Sequence, residues 1–282
     1  MLDVVDTQLH FNRIGTLEAG IAAMDAVGVA SVLFDDFAGS YDEAGNSLPG
    51  YAVANGAFRY VCPEAEAAAV RYPERFGVMR RIDYRDPDLA PIARLMAAAP
   101  HINVLRAVAW HPPETEALAG GYYDPVFQVA AEYDLPLVFL TQGRTDLLKH
   151  YAKKYPDLRL VIDHCGTPQR RGVTAADLEP ALEMADFKNV TLKWSHAPFF
   201  FATTPYPFPD VVTLLKRAIA AFGAERIMWG SDFTVTLPFA SWAEKLFYIR
   251  DSNELSAEEK TWILGRTART LLRWPASTAP SV

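Results

Sequence analysis

Short apolar runs alternate with longer amphipathic stretches along most of the chain. Eight runs rich in β-branched and aromatic residues predict strands at Leu2–Val5, Ala30–Phe34, Phe76–Arg80, Val104–Ala109, Leu137–Leu140, Leu160–Ile162, Val190–Lys193 and Arg226–Trp229. Helical patterns fill the gaps at Thr16–Val27, Pro63–Arg71, Pro87–Ala99, Asp124–Tyr133, Arg144–Tyr155, Ala175–Ala185 and Asp210–Phe222. Two more, Phe239–Arg250 and Ala257–Leu272, follow the last strand. Strands that read as continuous apolar runs are covered on both faces, as in a parallel sheet. Eight strand–helix units in 282 residues predict an α/β fold, a distorted (β/α)8 TIM-type barrel. It forms a single domain over residues 1–274, with a flexible C-terminal tail over 275–282. A doubly wound sheet is the rival architecture, but no glycine-rich fingerprint follows the first strand.

Two strand-following insertions are long and aromatic: Asp35 to Tyr60, and His196 to Pro209 with its Phe199-Phe200-Phe201 run. In a barrel such insertions overhang the C-terminal face, where substrates bind. A net charge of −7 and no basic stripe argue against a nucleic-acid partner. No stretch approaches the roughly 20 apolar residues needed to cross a bilayer. Two cysteines, Cys62 and Cys165, are too few for a disulfide framework and fit free thiols in a reducing cytoplasm. The expected partner is a small-molecule substrate, and the exposed aromatic loops are compatible with a homodimer.

The chemistry is expected where strands end. The first strand runs into Asp6-Thr7-Gln8-Leu9-His10, and strict alternation would set Asp6, Gln8 and His10 on one side. Strand four carries Arg106, strand five is followed by Gln142 and Arg144, and strand six by Asp163-His164. Strand seven bears Lys193, Ser195 and His196, and strand eight runs into Gly230-Ser231-Asp232. In a barrel these ends meet in one ring. A carboxylate beside imidazoles can act there as a general base on water. With a metal, the histidines would hold the ion and Asp232 would take the proton. Without one, side chains would polarise a carbonyl directly. Arg106, inside an apolar strand, needs an anion, either an internal carboxylate or that of a ligand.

Taken together, these residues resemble the amidohydrolase-related family, closest to its lactonase branch of sugar lactonases and 2-pyrone-4,6-dicarboxylate lactonase. The pieces that carry the resemblance are Asp6–His10, the block from Leu160 to Pro168, Asn189–Ser195, and the uninterrupted stretch from Phe222 to Asp232. The resemblance implies a hydrolase of a small carboxylated or sugar-derived lactone. It implies Asp232 as general base, with His164 and His10 as its catalytic companions. Gln8, Arg106, Gln142, Arg144, Lys193, Ser195 and His196 are the substrate-binding candidates. Gln8 stands where the family's first histidine belongs, and Thr141-Gln142 stand near its fifth-strand histidine. Two readings of the cofactor follow: none, or one divalent ion such as zinc on His10, His164 and Asp232. A decarboxylase or lyase of a small acid, and a barrel that binds a ligand without turning it over, are the alternative functions.

Overall fold

A computed structural model describes residues 2–11, 14–36, 40–41, 47–48, 50–236 and 239–275. Eight strands form one parallel sheet in chain order: β1 (Val5–His10), β2 (Ser31–Asp35), β3 (Phe76–Arg81), β4 (Asn103–Val108), β5 (Leu137–Leu140), β6 (Leu160–Ile162), β7 (Val190–Ser195) and β8 (Ile227–Gly230). Helices lie between successive strands. The sheet curls into a nearly closed (β/α)8 barrel, as the strand–helix alternation predicts.

Alternation along the strands sorts side chains into two apolar layers. Val5, Leu33, Met79, Val104, Val138, Val161 and Met228 pack together inside the barrel. Their neighbours Val4, Val32, Val78, Leu105, Leu137, Leu160 and Ile227 face the surrounding helices. The last helix, Thr267–Leu272, and Trp274 close one end of the inner layer. The helix that precedes it comes close to the start of the chain. Gly265 there has no space for a side chain, since a Cβ would fall 1.7 Å from the Asp3 carbonyl oxygen.

The first strand differs from its expected bounds. It begins at Val5 rather than ending there, so Asp6–His10 is part of the strand. Asp6 pairs with Val32 but Leu9 with Phe34, so β1 carries one extra residue as a bulge. The bulge overturns the strict alternation. Gln8 and His10 face the barrel interior, while Asp6 accepts a hydrogen bond from Trp242 Nε1 at 2.8 Å in the helix layer.

Asp6 also helps join β8 to β1. Ser231 N donates to Asp6 Oδ1 at 2.8 Å, Thr7 Oγ1 to the Trp229 carbonyl at 2.7 Å, and Asp232 N to the Gln8 carbonyl at 3.0 Å. Closing a barrel leaves no unpaired strand edge, and here side chains supply much of that closure. The expected helix Arg144–Tyr155 is a 3-10 turn, Thr145–Leu148, followed by the helix Lys149–Lys154. An additional helix, Pro112–Ala119, lies between β4 and the expected helix, which spans Asp124–Glu132. Of the expected tail, residues 276–282 lie outside the described residues, as does part of the insertion after Asp35.

Candidate active site

Above the inner apolar layer, the inward positions turn ionic. Arg106 Nε and Nη2 reach Asp163 Oδ2 at 2.8 and 2.5 Å, and Nη1 bonds Asp35. Arg81 grips Asp35 with Nε at 3.1 Å and Nη2 at 2.9 Å. Lys193, fully buried, lies 3.2 Å from Asp163 Oδ1 and donates to Gln8 Oε1. Gln8 Nε2 in turn donates to Asp35 Oδ2 at 3.3 Å. Buried charges persist only when paired, and each charge here meets an opposite one. Burial opposes ionisation of Asp163, but Arg106, His164 and Lys193 outweigh it and hold the carboxyl well below its usual range. Asp35 is likewise held low, burial being outweighed by Arg106, Arg81 and His10. Burial pushes Lys193 down, against the pull of Asp163.

Asp232 and three imidazoles stand above this ionic layer. His10 Nε2 lies 3.3 Å from Asp232 Oδ1, whereas His196 Nδ1 and His164 Nε2 lie 3.2 and 3.7 Å from Oδ2. His164, His196 and Asp232 lie within two residues of the ends of β6, β7 and β8, and all three have left-handed backbones, with φ of 46°, 61° and 45°. Such conformations cost energy for residues other than glycine and gather at functional sites. Burial opposes ionisation of Asp232, yet His196, His10 and His164 hold it well below the usual carboxylate range. Burial pushes His164 down to about 3 and His196 to about 4. At neutral pH both rings are therefore uncharged and each offers a lone pair.

These groups floor a cavity of about 360 Å³ walled by Tyr60, Arg81, Trp110, His111 and Gln169. A second hollow of about 520 Å³, with Phe199, Phe200 and Phe239 on its walls, shares Trp110, Gln169, His196 and Val235 with the first. The phenylalanine run thus lies beside the site, as a pocket wall.

The structure gathers most, not all, of the expected residues. His10, His164, His196, Asp232 and Arg106 reach the cavity. Arg106 Nε and Nη1 are directed to internal carboxylates, and Nη2 also faces His164 Nε2 at 3.2 Å. Lys193 and Gln8 lie in the ionic layer, and Ser195 lies behind His164, its Oγ 2.7 Å from Nδ1. Gln142 accepts from the Gln169 backbone at 2.8 Å and so braces the wall rather than forming it. Arg144 departs from expectation: it is exposed at the start of the 3-10 turn and pairs with Asp146 at 2.9 Å, outside the cavity. Asp35 was missed because the expected strand stops one residue short of it, and Arg81 because the pair Arg80-Arg81 reads in sequence as a solvated basic face, whereas Arg81 turns in to Asp35. Both carry the signal that marked the others, an ionisable side chain closing an apolar strand. Tyr60 ends a short strand, Phe58–Tyr60, outside the barrel sheet, and Gln169 sits in a loop; neither carries a comparable signal.

The donor set suits a divalent metal, though not in the expected combination. His164, His196 and Asp232 can each place one ligand atom within 4.8 Å of the others. Among the described residues, neither nitrogen of the buried His196 ring has a hydrogen-bond partner. His10 reaches the opposite oxygen of Asp232, and His196 takes its place in the cluster.

A parallel barrel with a carboxylate and imidazoles at the ends of its strands defines a (β/α)8 protein built for chemistry at its mouth. Residues 5–274 match the amidohydrolase family, and the chain belongs to it. Among curated proteins, the L-fucono-1,5-lactonase of Burkholderia ambifaria is 26% identical over 160 residues, 55% of this chain and 54% of that protein. The matched part thus spans about half the length of that relative. An amidohydrolase of Burkholderia multivorans solved with HEPES superposes with a TM-score of 0.75 at 18% identity, covering 97% of this chain and 100% of that one. With zinc bound it superposes at 0.74 and 19% identity, with the same coverage. A putative 2-pyrone-4,6-dicarboxylic acid hydrolase of Pseudomonas putida gives 0.72 at 20% identity over 98% and 100% of the two chains. At these identities the solved structures share the fold.

Proposed function

We propose that this protein is a hydrolase that opens a small carboxylated or sugar-derived lactone, with Asp232 as the general base. The observation that carries the reading is Asp232 itself, a buried carboxylate kept ionised among three imidazoles on the floor of a pocket. The family and the lactonase relative support it.

In this reading water attacks the lactone carbonyl carbon and gives a proton to Asp232. A carboxylate this acidic is a weak base at rest. It becomes effective as the new C–O bond makes the attacking water acidic. The ring C–O bond then breaks, and the departing alkoxide recovers the proton from Asp232 to give a hydroxy acid. His10 and His196 flank Asp232 at opposite oxygens, and the ionic layer lies beneath it. Tyr60, Arg81, Trp110, His111 and Gln169 would face the substrate. A zinc ion on His164, His196 and Asp232 would lower the pKa of bound water to about 7. The two buried free thiols fit the reducing cytoplasm that we assign to the protein.

Asp232→Asn tests the proposal. Hydrolysis of a panel of γ- and δ-lactones, with and without carboxylate and hydroxyl groups, should fall roughly 10²- to 10⁴-fold in kcat. Turnover like that of the wild type in the folded variant would remove Asp232 from the mechanism.

A further inference from the structure

His164 is held on both edges of its ring. Nδ1 lies 2.7 Å from Ser195 Oγ, and Nε2 lies 3.2 Å from Arg106 Nη2. A guanidinium only donates, so the nitrogen facing Arg106 carries the lone pair. The ring proton is then on Nδ1, and Ser195 Oγ accepts it. Nε2 is also the atom that faces Asp232, at 3.7 Å. The lone pair that His164 would offer to an ion beside His196 and Asp232 is therefore already taken by a cation of the protein.

We propose that Arg106 is a positioning residue that sets how tightly this site takes a divalent metal, because guanidinium and ion compete for one lone pair of His164. Arg106 cannot swing away cheaply, since its other donors are anchored on Asp163 and Asp35. The charges point the same way. Arg81 and Arg106 pair with Asp35, and Arg106 and Lys193 with Asp163, while the buried Lys245 acts on Asp232. A dication added beside them meets positive charge already in place. Ser195 supports the arrangement by fixing the tautomer. The inference rests on the metal-donor set described above and is independent of which substrate the pocket takes.

The test is zinc affinity, measured on metal-stripped protein by competition with a chromophoric chelator. Lysine at position 106 keeps a charge between Asp35 and Asp163 but lacks the Nη2 that faces Nε2. Folded Arg106→Lys should bind zinc about ten-fold tighter than wild type or more, the scale of one hydrogen bond to a charged group. His196→Ala added to that variant should remove the gain. A merely structural loss would weaken zinc binding instead. Unchanged or weaker affinity in folded Arg106→Lys, or a gain that survives His196→Ala, overturns the proposal. Should the variant not fold, long-range 1H–15N spectra of the wild type decide the matter. A His164 ring protonated on Nδ1, whose bare Nε2 shifts on saturation with zinc, supports the competition; a ring protonated on Nε2, or an Nε2 that zinc does not move, refutes it. Lactone hydrolysis enters none of these readouts, so failure of the lactonase reading and failure of this one are separable.

Discussion

Asp6 gives a quantitative test of the β8–β1 seam. Its carboxylate accepts from Gln8 N at 3.1 Å, Ser231 N at 2.8 Å and Trp242 Nε1 at 2.8 Å. Burial nevertheless pushes it up to about 6 from an ordinary value of 3.8. Asparagine keeps an oxygen for Ser231 and Gln8 but turns an NH2 toward the Trp242 N–H, leaving that donor unmet at about 1–3 kcal/mol. It also removes the buried charge. With about 1.4 kcal/mol per pH unit, ionised Asp6 costs the wild type about 3 kcal/mol above pH 6. The sign follows from linkage. Between 3.8 and 6 the folded state holds more protons than the unfolded state, so this group makes stability fall as pH rises. Asp6→Asn should therefore be the less stable protein near pH 4, by about 1–3 kcal/mol. Near pH 7 it should equal or exceed wild type, a swing of about 3 kcal/mol in the difference. Adding Trp242→Phe should recover the unmet donor at both pH values. The assay is urea unfolding with linear extrapolation at several pH values between 4 and 7.5; subtracting the two proteins cancels the groups they share. A difference that moves by less than about 1 kcal/mol across that range refutes an Asp6 raised by burial.

Two further outcomes follow from the site. Arg144→Ala should leave kcat/KM unchanged and shift stability by no more than about 1 kcal/mol, as for exposed ion pairs; a ten-fold loss in kcat/KM would put Arg144 on the substrate. The rings of His164 and His196 should remain neutral at pH 5.5 in histidine NMR spectra, because burial holds them near 3 and 4. Their depressed values mean that the unfolded chain binds more protons between about 4 and 6.5, so their contribution to stability is lost as pH falls through that window. Titration of either ring near 6.5 would contradict the burial described here.

Much of the barrel could be read from the pattern of residues. A (β/α)8 barrel repeats one local rule eight times, and apolar runs between amphipathic helices express that rule without reference to distant parts of the chain. The ring of strand-end residues followed from the same rule, because closing the barrel brings every strand end to one mouth. His10, His164, His196, Arg106 and Asp232 were legible for that reason.

Pairing was not legible. Nothing local tells whether Arg106 meets a ligand or Asp35 and Asp163, which lie 71 and 57 residues away in the chain. Nor does local pattern show that one extra residue in β1 sends Asp6 into the helix layer while Gln8 and His10 stay inside. Which oxygen of Asp232 each imidazole faces, and hence whether His10 or His196 joins His164 as a metal donor, is a matter of a few ångströms across three strands. The amino-acid sequence by itself determined the repeated architecture and the inventory of chemical groups at its mouth. Tertiary structure alone decided the partners, because buried charges are stabilised by what stands opposite them in space.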